Sequence, residues 1–396
     1  MKILQINSVC GYGSTGKIAY DLCKVLESNG HECVVAYGRG NAPKDIKTIK
    51  IGTDKDVKIH GAASRITDKH GFYSKNVTKK FIKQIEEYDP DIIHLHNIHG
   101  YYINIELLFN YLSKADKKVI WTLHDCWSFT GHCPYFDYVG CDKWKEECHN
   151  CPQKYRYPKS LFLDNSRRNY QIKKKLFTSV KDMTIVTPSK WLAELVKQSF
   201  LSKYPVKVIY NGIDLDIFKP TPSDFREKHN LKDKFIVLGV ASVWEKRKGL
   251  DDFIKLSKML SDKYRVVLVG LNKKQKDNLP GNIIGITRTS NANELAQIYT
   301  VADVFVNPTY EDNFPTTNIE ALACGTPIIT YDTGGSIESV NSNCGAIIEK
   351  GNVQMLTKKI MNFDSNYFTT KSCIERANLF DKDYRFIDYM KIYNEG

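Results

Sequence analysis

Short, unbroken apolar runs alternate along this chain with longer stretches in which apolar residues return at helical spacing. KILQIN and ECVVAYG bracket the helical pattern KIAYDLCKVLESNG, which stops at Gly30. DIIHLHN and KVIWTLHD bracket IELLFNYLSK, and MTIVTPS and VKVIYNGI bracket WLAELVKQS. A strand that is apolar throughout has both faces covered, so strands alternating with amphipathic helices predict a parallel sheet between two helical layers. The rhythm breaks at NGIDLDIFKPTPSDF, where Gly, Asp and Pro interrupt it. It then restarts: FIVLGVA, YRVVLVG, NIIGITR, DVFVNP, PIITYD and GAIIEKG alternate with LDDFIKLSKML, ANELAQIYTVA and TTNIEALAC. The pattern predicts an α/β chain of two Rossmann-like, doubly wound parallel-sheet domains facing across a cleft. The first spans 1–212 and the second 213–375, and 376–396 is read as a terminal helix packing back on the first.

Length agrees with this division, because 396 residues exceed one ordinary domain. Hydrophobic residues at 42% and charged residues at 26% are the balance of a soluble globular protein. No apolar run approaches the roughly 20 residues of a membrane span. MKILQINSVCGYG lacks the basic head and apolar core of a secretory signal, so a cytoplasmic location is expected. There the 11 scattered cysteines stay reduced. The formal charge of +12 suits anionic partners, whether phosphates, nucleic acid or an acidic lipid surface, and equally a solvated basic face.

Two loops offer phosphate chemistry. CGYGSTGKIAYDL leaves the first strand and opens a helix, and Gly11, Gly13 and Gly16 let the backbone turn sharply and approach a ligand. Gly11-x4-Gly16-Lys17 mimics a nucleoside-triphosphate loop, but Ile18 stands where that motif needs a hydroxyl for magnesium. A tight strand-to-helix turn accounts for the glycines as well. After FIVLGVA, the run Lys246, Arg247, Lys248, Gly249 crowds three cations at a strand end, where open α/β sheets bind ligands. Such cations can neutralise a departing diphosphate; the same run also reads as a solvated cap of the next helix.

TYEDNFPTTNIEALACGTPII is the most specific stretch. Asp312 lies in a loop, and Glu320 on the helix that Thr316 and Thr317 begin. Both carboxylates can accept hydrogen bonds from sugar or ribose hydroxyls, and the N–H groups of Phe314, Thr316 and Thr317 can face phosphate. This stretch resembles the retaining glycosyltransferases of family 4, which have the GT-B fold: Asp312-x7-Glu320 followed by Ala321, Leu322, Ala323, Cys324, Gly325, Thr326 and Pro327 falls on the family's E-x7-E element. Asp312 replaces the usual first Glu, and Glu311 offers a competing alignment. Asn211, Gly212, Ile213, Asp214, Phe218 and Pro220 are similar to the family's interdomain signature, and Thr187-Pro188-Ser189 to the strand end before it. Lys248-Gly249 resembles its Lys-Gly pair, although Ser242 stands where its partner Arg is expected. His124 matches its active-site His, and Gly13-Ser14 its Gly-Gly loop.

The resemblance implies a retaining, metal-independent hexosyltransferase acting on a nucleotide-diphosphate sugar. Its acceptor would be a glycan or a lipid-linked glycan in cell-surface polysaccharide synthesis. Lys248, helped by Arg247 or Lys246, would hold the diphosphate with the loop N–H groups of Phe314, Thr316 and Thr317. Glu320 would hold the ribose, Asp312 the sugar hydroxyls, and His124 would orient the reacting sugar. No nucleic acid is expected as a partner; peripheral contact with the inner face of an anionic membrane is. His94, His96 and His99 lack a further ligand nearby in sequence and are read as polar groups at a strand end, facing the acceptor.

One segment, 126–164, fits no period and is too short and irregular to bury a core of its own. Within it Cys133, Cys141, Cys148 and Cys151 have the spacing C-x7-C-x6-C-x2-C, whose last pair is a zinc-type knuckle. Structural zinc, disulfides and unligated thiols all remain open, with Cys126, His132 and His149 as alternative ligands. Two rival functions stand beside the transferase: an inactive sugar-nucleotide-binding subunit, and a zinc-containing nucleic-acid-binding protein with Tyr135, Tyr138 and Trp144 interleaved among basic residues.

Overall fold

The computed structural model describes residues 1–364 and 367–395. The chain divides into two compact units, Met1–Tyr210 with Phe386–Gly396, and Asn211–Arg385.

The first unit contains β1 (Lys2–Asn7), β2 (Glu32–Tyr37), β3 (Lys47–Lys50), β4 (Ile92–Leu95), β5 (Lys118–Thr122), β6 (Met183–Thr187) and β7 (Val206–Val208). They form a parallel sheet in the order β3-β2-β1-β4-β5-β6-β7. Successive side chains of a strand point to opposite faces. Leu4, Ile93, Val119 and Ile185 therefore enter one apolar core, and Ile3, Ile92, Ile120 and Val186 the other. This double burial is why the strands read as unbroken apolar runs. The last helix, Lys382–Asn394, adds Phe386, Tyr389, Ile392 and Tyr393 to the second of these cores.

The second unit contains β8 (Phe235–Val240), β9 (Tyr264–Val269), β10 (Ile283–Ile286), β11 (Val304–Asn307), β12 (Ile328–Tyr331) and β13 (Gly345–Ile348), all parallel, in the order β10-β9-β8-β11-β12-β13. It runs past residue 375, where the sequence pattern ends. The helix Thr370–Asn378 buries Cys373 and Ala377, and Arg376 donates to the carbonyls of Glu338 (2.6 Å) and Ser339 (3.0 Å). In each sheet the chain order reverses beside the first strand, between β1 and β4 and between β8 and β11. Loops leaving two such strands diverge to opposite sides and open a crevice at their carboxyl ends.

The insert differs from its sequence reading. It holds three short 3-10 turns, Trp127–Phe129, Asp137–Val139 and Lys143–Lys145. Phe129 and Phe136 pack against Trp144 with ring centroids 5.2 and 4.9 Å apart, and all three join the core of the first unit. Aromatic rings bury large areas per residue, so an irregular segment acquires a core without periodic patterning. Among the described residues no helix is long and apolar enough to cross a membrane.

Candidate active site

The crevice of the second unit is built by a close backbone approach. Gly249 has φ +74°, and a Cβ there would lie 2.3 Å from the carbonyl oxygen of Pro308. Only glycine lets the basic turn Lys246–Lys248 settle against the end of β11. Three hydrogen bonds fasten it there: Tyr310 N to Arg247 O (2.7 Å), Thr309 Oγ1 to Arg247 O (3.2 Å), and Arg247 Nη1 to Glu311 O (2.9 Å). The Lys248 ammonium then pairs with the Asp312 carboxylate, the two side chains keeping 21% and 16% exposure. Burial lowers the pKa of Lys248, and the Asp312 charge works against that shift. Asp312 is itself anchored, its carbonyl accepting from Gly335 N at 3.0 Å beside Gly334 at φ +51°.

The next turn of chain carries the second acid. Thr316 and Thr317 open the helix Thr316–Ala323, whose first N–H groups have no intrahelical acceptor. Glu320, one turn on, accepts from Tyr299 Oη at 3.1 Å and from the Thr316 hydroxyl. Burial raises its pKa, and those two donors only partly reverse the shift. Phe314 is buried, packs 5.4 Å from the ring of Phe380, and accepts from Asn211 Nδ2 at 3.2 Å through its carbonyl. Of the two adjacent acids, Glu311 is fully buried and Asp312 meets Lys248.

In the first unit a chain of polar groups crosses the carboxyl ends of β1, β4 and β5. Gln5 Nε2 donates to Ala19 O at 3.0 Å, which turns Oε1 toward His96 Nε2 at 2.9 Å. His96 therefore carries its proton on Nε2, and its Nδ1 accepts from His124 Nε2 at 3.0 Å. The His124 ring is thereby left with Nδ1 as its acceptor atom. Burial pushes the His124 pKa down to about 4 and holds His96 well below the usual range, so both rings are neutral. His94 stacks on His96 at 4.2 Å and bonds Tyr393 Oη (2.7 Å) and Thr122 Oγ1 (2.8 Å). His99 sits apart, joining Asp125 Oδ2 (2.9 Å) and Tyr157 Oη (3.0 Å). Gly13 has φ +63° and opens the helix Gly13–Ser28, followed by Ser14; a Cβ at Gly13 would touch nothing, so its backbone conformation is what favours glycine.

Family comparisons agree with this geometry. Residues 15–217 match the model described as Glycosyltransferase Family 4, and residues 223–380 match that of Glycosyl transferases group 1. The chain belongs to glycosyltransferase family 4. A protein of Escherichia coli (strain K12) assigned to colanic acid biosynthesis as glycosyl transferase WcaC is 24% identical over 375 residues, 90% of each chain. The N,N'-diacetylbacillosaminyl-diphospho-undecaprenol alpha-1,3-N-acetylgalactosaminyltransferase of Campylobacter jejuni is 27% identical over 222 residues, 51% of this chain and 57% of that one. Among solved structures, Anabaena Alr3699/HepE in complex with UDP-glucose has a TM-score of 0.67 at 15% identity, covering 99% of this chain and all of that one. The two parallel-sheet units are those of the GT-B fold.

This family 4 enzyme thus gathers Lys248, Arg247, Asp312, Phe314, Thr316, Thr317 and Glu320 on adjoining loops and one helix start of its second unit. Gly13, Ser14 and His124 lie on the first unit. Ser242, in the place of the family's Arg, is exposed. The groups that sequence reasoning missed are those that orient the recognised ones: Gln5 and Thr122 on neighbouring strands, Tyr299 against Glu320, and Tyr389 and Tyr393 from the last helix. His94 and Tyr393 are 299 residues apart, so no local signal could have paired them.

Proposed function

We propose that this glycosyltransferase moves a hexose-type sugar from a nucleotide-diphosphate donor to a glycan or lipid-linked glycan, with retention of anomeric configuration and without a catalytic metal. The observation that carries the reading is the Lys248–Asp312 pair at the β8/β11 crevice, beside the helix start that bears Glu320. A diphosphate entering there exchanges with the Asp312 carboxylate for the Lys248 ammonium. The released carboxylate can then accept hydrogen bonds from the sugar hydroxyls. As the glycosidic bond breaks, negative charge grows on the diphosphate, where Lys248 and the N–H groups of Phe314, Thr316 and Thr317 stabilise it. Glu320 takes the ribose hydroxyls, and neutral His124 orients the reacting sugar. The acceptor hydroxyl attacks from the face that the diphosphate leaves, and its proton passes to the departing diphosphate oxygen. The UDP-glucose complex of the Anabaena neighbour and the undecaprenol-linked acceptor of the Campylobacter relative support this choice of donor and acceptor classes.

The test is turnover with a panel of UDP-, GDP- and ADP-sugars and polyprenyl-diphosphate glycans, the product's anomeric configuration being read by NMR with and without EDTA. An inverted product, or activity abolished by EDTA and restored by magnesium, overturns the reading. So does the absence of transfer with every donor despite donor binding, which would make the chain a binding subunit. The +12 charge supports peripheral contact with an anionic membrane. Sedimentation with anionic vesicles should fall as salt rises, and no sedimentation at low salt removes that contact.

A further inference from the structure

The insert of the first unit has a feature that sugar transfer does not use. Cys133, Cys141, Cys148 and Cys151 line one small pocket together with His132 and Trp144. None of the four is in a disulfide. Two nitrogens at this pocket, His132 Nε2 and Trp144 Nε1, are buried and have no hydrogen-bond partner among the described residues. The other nitrogen of His132 bonds Asp68 Oδ1 at 2.5 Å, which fixes the ring. Beside the cluster, Lys173 is 1% exposed, donates to the carbonyls of Trp127 (2.5 Å) and Thr130 (2.8 Å), and lies 3.4 Å over the Trp127 ring. No salt bridge is made by Lys173 among the described residues.

A buried N–H without an acceptor, as at Trp144 Nε1, is rare in native proteins, and the buried Lys173 beside the cluster suits an anionic neighbour. Neutral thiols do not answer this, because sulfur in S–H is a weak acceptor. Thiolates do answer it, and a divalent metal makes thiolates out of thiols. We propose that Cys133, Cys141, Cys148 and Cys151 bind one structural zinc ion, with Trp144 Nε1 donating to a ligand sulfur and Lys173 offsetting the charge of the site. Zinc favours tetrahedral sulfur sets of this kind, and Cys148-x2-Cys151 is its usual knuckle. As the ion binds, four S–H bonds break and the four protons pass to solvent. The side chains are not pre-arranged for this: among the described residues no three His, Cys, Asp or Glu groups already form a metal site, and the Cys133 thiol instead bonds Cys151. Binding would require the four thiols to turn toward one point. The zinc would hold the loop that begins two residues after His124, whose neighbour Asp125 accepts from Trp127 N at 2.9 Å.

The experiment uses the full chain, purified under reducing conditions without chelator from zinc-supplemented cells. Elemental analysis should give about one zinc per chain, and X-ray absorption about four sulfur ligands. Cobalt substitution of the wild-type chain should give the absorption of a tetrahedral thiolate complex, a readout that needs neither activity nor a folded variant. Cys148→Ser should lose most of the metal. A chain that takes up neither zinc nor cobalt, with four alkylatable thiols or with disulfides in the insert, overturns the proposal. Because none of these measurements involves sugar transfer, failure here and failure of the transferase reading are distinguishable.

Discussion

Lys248 and Asp312, 64 residues apart in sequence, share an ion pair at the crevice between β8 and β11. The pair exists because Gly249 lets the turn after β8 press against Pro308 at the end of β11. Asp312 thus occupies the cation to which the proposed function assigns the donor diphosphate. On the proposed function, donor binding is an exchange of anions that frees the carboxylate for the sugar hydroxyls.

Lys248→Ala should lower kcat/KM for the donor about ten- to a hundred-fold, the equivalent of losing a charge-assisted hydrogen bond of about 1.5–3 kcal/mol. Arg247→Ala should cost less, because its guanidinium is engaged with the Glu311 carbonyl. Steady-state kinetics and donor calorimetry on both variants check this; equal losses would make Arg247 the replacement for the missing family Arg. Asp312→Asn should bind donor at least as tightly as wild type while turning over more slowly.

Glu320 should act on binding rather than on the chemical step. Glu320→Gln keeps the size and one acceptor oxygen, so donor KM should rise about tenfold with kcat little changed, as expected for an interaction equal in ground and transition states. Tyr299→Phe removes one of the donors to Glu320 and should move KM in the same direction by less. A fall in kcat at unchanged KM would reassign Glu320 to the reacting sugar.

Gln5 and His96 are positioning residues for His124, since they set which of its nitrogens carries the proton. His124→Ala should lower kcat more than it raises KM. His96→Gln should lower kcat about fivefold, comparable to losing one orienting hydrogen bond of ~1 kcal/mol, with donor affinity unchanged. The ring NMR signals of His124 should report a changed tautomer in that variant; an unaltered tautomer and kcat would uncouple the two histidines.

Buried histidines make the first unit sensitive to acid. Burial lowers the pKa values of His60, His94 and His124 from 6.5 to about 3, 3 and 4. Between these values the unfolded chain binds more protons than the folded one. Stability is thus full above pH 6.5 and is lost as pH falls toward 4, by up to about 1.4 kcal/mol per pH unit for each such group. Urea midpoints followed by tryptophan fluorescence should drop between about pH 7 and pH 5. Four of the 5 tryptophans (Trp121, Trp127, Trp144 and Trp191) lie in the first unit, so the signal reports mainly on it. A midpoint constant over that range contradicts the neutral-histidine assignment.

The unbroken apolar runs were enough to read two parallel sheets, because strands buried on both faces must be apolar at every position. β3 escaped that reading: KTIK is mostly exposed and becomes a strand only by pairing with β2 at the sheet edge. Lys248, Asp312 and Glu320 were legible because local motifs, Lys-Gly and the spaced acids, mark the loops and helix start that carry them. Their partnerships were not. Whether Asp312 or Glu311 meets Lys248, which nitrogen of His124 bears the proton, and how Phe129, Phe136 and Trp144 fill the insert all depend on groups distant in sequence. A hydrogen bond or a ring contact is decided by ångström-scale proximity, which chain spacing does not encode until packing brings the elements together.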